Sequence, residues 1–175
     1  MGTNIKNRLA VRLKQAAQTA SVVLLFSLAA DYWRRPTVPA DAALRPVALI
    51  GRAVPVTLAE AGGSRTLVLY FWGSWCGVCR HTSPAVQRLK ADGIPVLGVA
   101  TASGSDAEVA AYLRRHGWDF ETANDADGTW TRQWQVRVTP TVLLVKNGKV
   151  VHSTAGIASY PGLRARVWLA DILGG

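Results

Sequence analysis

Beyond residue 46 the chain alternates short apolar, β-prone runs with stretches whose apolar positions recur at helical spacing. Thr66-Leu67-Val68-Leu69-Tyr70-Phe71-Trp72 is continuous and apolar, the pattern of a strand covered on both faces, and Ile94–Ala100 repeats it. The residues from Cys76 to about Lys90 read as a helix between them. Thr57-Leu58-Ala59-Glu60 and Ser105-Asp106-Ala107-Glu108 both have capping-box spacing, the first opening a short helix and the second one that runs to about His116. Upstream, Val47–Ile50 and Ala53–Thr57 flank Gly51-Arg52 as a hairpin would. A short extended piece is expected near Phe120, and Asp125 to Trp134 reads as a turn followed by a short helix. Val142–Lys146 and Lys149–Thr154 meet at Asn147-Gly148, which supplies the two positive-φ residues of a type I′ turn. Ser159 caps a last helix with Pro161 in its first turn and Leu163, Val167, Ala170 and Leu173 on one face. This order predicts an α/β domain: a central mixed sheet with parallel β-α-β units, flanked by helices and closed by an antiparallel hairpin.

The start of the chain follows another pattern. Ala20 to Ala30 carries no charge, Lys6, Arg8, Arg12 and Lys14 precede it, and Tyr32 and Trp33 follow as an interfacial belt that brings the segment to the roughly 20 residues needed to span a bilayer. It lacks the charged face of an amphipathic helix. An N-terminal hydrophobic helix is therefore expected, with residues 1–35 forming a cytoplasmic basic start and membrane anchor. A cleaved signal peptide stays open, because Ser27-Leu28-Ala29 offers small residues for cleavage. Both readings export the remainder, since the positive-inside rule sends everything after Asp31 across the membrane; the expected compartment is the bacterial periplasm beyond an inner membrane, or an equivalent exported space. Residues 36–46, with three prolines, read as an extended tether, and residues 47–175 as one domain.

Composition and charge narrow the functions. With 49% hydrophobic and 18% charged residues among 175, the chain is not of disordered composition. The net charge of +9 would point to nucleic acid, but six cations against Asp31 put +5 of it in the first 35 residues, and elsewhere bases are interspersed with acids. Nucleic-acid binding is not expected. Two cysteines and three scattered histidines complete no closed zinc site, and no cofactor is implied.

The chemistry concentrates at Trp75-Cys76-Gly77-Val78-Cys79-Arg80, where a buried strand gives way to a helix. A thiolate at Cys76 is stabilised by the helix N-terminus, and Cys79, one turn on, is placed to attack a mixed disulfide formed by Cys76. Gly77 leaves the approach of a partner open. The same motif also admits a structural disulfide or half of a zinc knuckle. Pro84 stands inside the helix, and Val138-Thr139-Pro140-Thr141 precedes the hairpin. Phe71-Trp72, Trp75-Cys76-x-x-Cys79, a helix proline and a distant Thr-Pro, in this order, resemble the thioredoxin superfamily. The anchor, the opening hairpin and Asn124-Asp125-Ala126-Asp127-Gly128 before Trp134-Gln135-Val136 are similar to its TlpA-like branch, and the likeness extends to the suppressor-of-copper-sensitivity protein D type of disulfide oxidoreductase.

The resemblance implies a thioredoxin-like fold over about residues 47–173 and thiol-disulfide exchange with periplasmic protein thiols and disulfides. It implies Cys76 as nucleophile and Cys79 as resolving thiol. It further implies a cis Thr139-Pro140 bond, with Thr139 and Pro140 binding the substrate chain, Trp75 and Gly77 lining its approach, and a transmembrane thiol reductase as electron donor. Trp72 is expected beside Trp75 in the docking surface. The chain departs from the family pattern in two places: Tyr70 stands where thioredoxin has a buried aspartate, and Thr82 where related reductants carry an acid. Water, Tyr70 and His81 are then the candidates for proton handling. Gly77-Val78 offers no charge between the cysteines, which favours a reducing couple over an oxidising one. Two other classes compete: a Cu(I) carrier using both thiolates and one histidine, and a binding module with an inert disulfide. His116 is expected on the last carbonyls of its helix, His152 on a strand surface, and Trp118, Trp130, Trp134 and Trp168 in or near the core.

Overall fold

The structure, a computed structural model, describes residues 44–173 together with Val11, Arg12, Lys14, Gln15, Gln18, Thr19, Ser21 and Val22. The chain divides into two units, residues 1–35 and 36–175. The described residues of the first unit are helical, and the Thr19 hydroxyl donates to the Gln15 carbonyl at 2.9 Å. Most of the expected anchor and the first residues of the tether lie outside the described residues. No helix among the described residues is long and apolar enough to cross a membrane.

The second unit is built on a five-stranded mixed sheet. Its strands are β1 (Leu67–Trp72), β2 (Val96–Thr101), β3 (Glu121–Asp125), β4 (Thr141–Lys146) and β5 (Lys149–Ala155), in the order β3-β2-β1-β4-β5. β1, β2 and β3 are parallel, whereas β4 is antiparallel to both β1 and β5. Five helices accompany them: α1 (Leu58–Gly62), α2 (Cys79–Ala91), α3 (Asp106–His116), α4 (Thr129–Gln133) and α5 (Tyr160–Leu173). Right-handed crossovers from β1 through β2 to β3 require α2 and α3 to share one face. Val86, Leu89, Val109, Tyr112 and Leu113 accordingly pack with Val68, Tyr70 and Trp72 of β1, and α5 adds Leu163, Val167 and Ala170. The alternate residues Leu67, Leu69 and Phe71 face a second layer containing Leu58, Leu97, Leu143, Trp134 and Val136. Period-two alternation thus feeds two cores from one strand with no exposed position, as its unbroken apolar run predicts.

Local signals are realised where they are self-contained. Both capping boxes close, Thr57 with Glu60 and Ser105 with Glu108. Asn147 and Gly148 take positive φ at the tip between β4 and β5. Several expectations are corrected. The opening hairpin is only one antiparallel bridge, Val47 to Val56, because the Leu49 carbonyl, which would take the next cross-strand bond, accepts from the Arg52 amide at 3.1 Å, and Ile50 donates to the Thr122 carbonyl at 2.9 Å. The helix expected from Cys76 starts at Cys79. The extended piece near Phe120 is a full strand, β3. Trp168 is 61% exposed rather than packed, while Trp118 and Trp134 are buried as expected.

Candidate active site

The parallel strands end, and β4 begins, at one edge of the sheet. Pairing of Phe71 with Thr141 brings the loop before β4 beside the segment that follows β1. Here Cys76 and Cys79 form a disulfide with Cα atoms 5.3 Å apart. The Cys76 amide donates to the Gly73 carbonyl and the Cys79 amide to the Cys76 carbonyl, each at 3.1 Å, so Gly73 to Cys79 descends as tight turns into α2. The Cys79 amide nitrogen also lies 3.1 Å from Cys76 Sγ, so this helix-start donor is shared between the Cys76 carbonyl and the sulfur that would carry charge. The Thr139-Pro140 bond is cis, and the Thr139 carbonyl oxygen sits 3.6 Å from Cys76 Sγ. That oxygen accepts from a thiol and repels a thiolate, so it opposes the Cys79 amide. Both cysteines are buried, Cys76 at 5% exposure and Cys79 at 1%, so Cys76 is the more open of the two by a narrow margin.

Trp75 is 59% exposed yet held. Its indole N–H donates to the Thr101 carbonyl at 3.0 Å, while the Ser74 amide donates to Ser103 Oγ, which itself donates to that same carbonyl. A Cβ on Gly73 would lie 2.7 Å from the Trp75 indole, so the ring needs glycine there. Trp72, expected beside it in the docking surface, is fully buried among Tyr112, Trp118 and Phe120. The proline loop is pinned from both sides: the Thr141 hydroxyl donates to the Val138 carbonyl at 2.7 Å and the Gly156 amide to the Pro140 carbonyl at 2.8 Å. Thr101, Ser103 and Gly156 were not singled out by the sequence, since each acts through a contact made only once distant segments are side by side.

Beneath the first turn of α2 the buried Tyr70 hydroxyl lies 2.9 Å from Ser83 Oγ and 3.4 Å from the Cys79 carbonyl oxygen. Burial drives the phenol well above its ordinary value, only partly offset by the Ser83 hydrogen bond. Tyr70 is therefore a neutral donor at physiological pH and not a proton acceptor. Thr82 is buried and takes the Ala158 amide on its Oγ1 at 3.3 Å, while His81 is exposed. His116 reaches the Tyr112 carbonyl through Nδ1 at 2.9 Å, and His152 faces Thr154 within β5.

Residues 45–153 match the AhpC/TSA family. The chain belongs to this family. A thioredoxin-like protein of Haemophilus influenzae is 39% identical over 145 residues, covering 82% of this chain and 86% of the relative. A thiol:disulfide interchange protein DsbE homolog of Paracoccus denitrificans is 31% identical over 125 residues, 63% of this chain and 69% of the relative. Among solved structures, a secreted Mycobacterium tuberculosis disulfide oxidoreductase shares the fold with a TM-score of 0.61 at 21% identity, covering 74% of this chain and 98% of that one. Fold, family and the paired cysteines together make this domain a thiol-disulfide oxidoreductase.

Proposed function

We propose that the chain is a membrane-anchored reductant of protein disulfides in the periplasm, with residues 1–35 as anchor, 36–46 as tether and 47–175 as the redox domain. The observation that carries the direction is the opposed pair of contacts on Cys76 Sγ, the Cys79 amide at 3.1 Å and the Thr139 carbonyl at 3.6 Å. A strong oxidant requires a greatly stabilised thiolate. A carbonyl oxygen against the sulfur works the other way, Gly77-Val78 adds no cation between the cysteines, and solvent screens the exposed Arg80 and Arg137 from the sulfur. A Cu(I) carrier would need a histidine beside its two thiolates, and among the described residues none is grouped with Cys76 and Cys79.

In the reaction, the Cys76 thiolate attacks a client disulfide, one client sulfur leaves as thiolate and takes a proton, and Cys76 stays joined to the other. Cys79 then loses its proton and attacks Cys76 Sγ, closing the intramolecular disulfide and releasing the second client thiol. Two electrons pass to the client. Thr139 and Pro140 hold the client chain, Trp75 bounds it, and Gly77 keeps the approach clear. A transmembrane thiol reductase restores the dithiol, and tethering beside it raises the encounter rate.

Trapping thiols with an alkylating agent in growing cells tests this. Cys76 and Cys79 should be mostly reduced, Cys79→Ser should accumulate mixed disulfides through Cys76, and Cys76→Ser should accumulate few. A fully oxidised pair in wild-type cells would make the protein an oxidase of client thiols instead.

A further inference from the structure

The rim around the disulfide carries charge of one sign. Four exposed apolar side chains stand there: Trp75, Val78 at 43%, Val138 at 43% and Ile157 at 70%. Ile157 belongs to this group because its neighbours Gly156 and Ala158 are bonded to Pro140 and Thr82. Two arginines are set among them. Arg80 directly follows Cys79, and Arg137 lies two residues before Thr139, which bounds its Cα to about 7 Å from that of Thr139. Both are exposed, and neither is in an ion pair among the described residues. Residues 73–81, 135–141 and 155–159, which surround the sulfurs, contain no acid. The acids of the same sheet edge lie beyond β2, on the β3 side, and each is already hydrogen-bonded: Asp106 by Asn124, Glu108 by Ser105, Asp125 by Trp130 and Thr131, and Asp127 by Thr129.

Resting on the reductant reading above, we infer that the preferred partner is a protein segment with an acidic side chain beside its disulfide cysteine. The apolar rim gives contact area without regard to charge, and Arg80 and Arg137 select for the acid. Two unpaired guanidinium groups flanking one reacting pair attract an anionic segment at long range and repel a cationic one, an effect that salt removes.

The test uses the full-length chain in non-ionic detergent, reduced, against two peptide disulfides identical except for Glu or Lys beside the cysteine, and against the uncharged 2-hydroxyethyl disulfide. A lysine near the scissile sulfur makes it the better leaving group, so intrinsic chemistry favours the Lys peptide and any preference for Glu comes from the protein. At about 20 mM salt the Glu peptide should react on the order of tenfold faster. The ratio should fall toward one at about 0.5 M salt, where screening is within a few ångströms, and in R80Q/R137Q. R137Q alone, on an exposed loop, should lower it partway and serves if the double variant does not accumulate. Equal rates for the two peptides at low salt, or a ratio that survives both substitutions, overturns the inference. Failure of wild-type protein to reduce 2-hydroxyethyl disulfide overturns the redox reading instead, so the two failures are distinguishable.

Discussion

Tyr70 stands beneath the first turn of α2 and offers only a hydroxyl to the resolving cysteine. Its phenol is neutral in the folded protein because burial penalises the charge, and in the unfolded chain it ionises near pH 10. A group whose folded pKa is raised contributes stability in full below its unfolded value and loses it as pH climbs toward the folded one. Wild-type stability should therefore fall steeply above pH 10. Tyr70→Phe has no such group. At neutral pH it should be less stable by about 1 kcal/mol, for the lost hydrogen bond to Ser83, and above pH 10 the two curves should converge. Urea midpoints from pH 7 to 11 check this, and parallel curves would show that the phenol ionises freely. Phe71-Trp72, Trp75-Cys76, Cys79, Pro84 and Thr139-Pro140 were legible because their types and order are informative without coordinates. That Trp75 is pinned by the Thr101 carbonyl, or that Trp72 is buried while Trp168 is exposed, was not legible. Aromatic type fixes size, and position in three dimensions fixes burial.

Among elements, α5 adds to its apolar packing on the sheet a hydrogen-bonded carboxylate, Asp171. Asp171 accepts from the buried Thr66 amide at 3.0 Å, from its hydroxyl at 2.7 Å and from Lys146 Nζ at 3.2 Å, linking the end of α5 to the residue before β1 and to the end of β4. Burial works against this charge, but the Thr66 and Lys146 contacts outweigh it and hold the carboxyl below its ordinary value of 3.8. Asp171→Ala strands the Thr66 donors and should cost about 1–2 kcal/mol at pH 7, discounted for partial exposure. Because the folded pKa is depressed, that stabilisation is present above the ordinary carboxylate value and lost as pH falls through the lower one. The gap between variant and wild type should accordingly shrink at pH 3, as denaturant midpoints would show; an unchanged gap would mean that the charge does not matter. Elements with a local signature were readable: Ser105 with Glu108 announces α3, and Asn147-Gly148 announces the hairpin. β3 was under-read because Glu121-Thr122-Ala123-Asn124-Asp125 is too polar to declare itself, and it becomes a strand by pairing with β2.

For the whole molecule, the proposed export and anchoring make a prediction of location. The protein should remain with membranes after a high-salt wash, and protease added to spheroplasts should digest the redox domain; a shortened form released into the soluble fraction would instead support cleavage after Ser27-Leu28-Ala29. β4 starts beside the disulfide and ends at Asn147-Gly148, so its six residues hold that tip about 20 Å from the reacting sulfurs. A biotin or alkyne handle inserted there would fix every molecule on a sensor chip with its cysteines facing the liquid, giving an oriented monolayer whose charge could be set by electrode and whose clients arrive by flow.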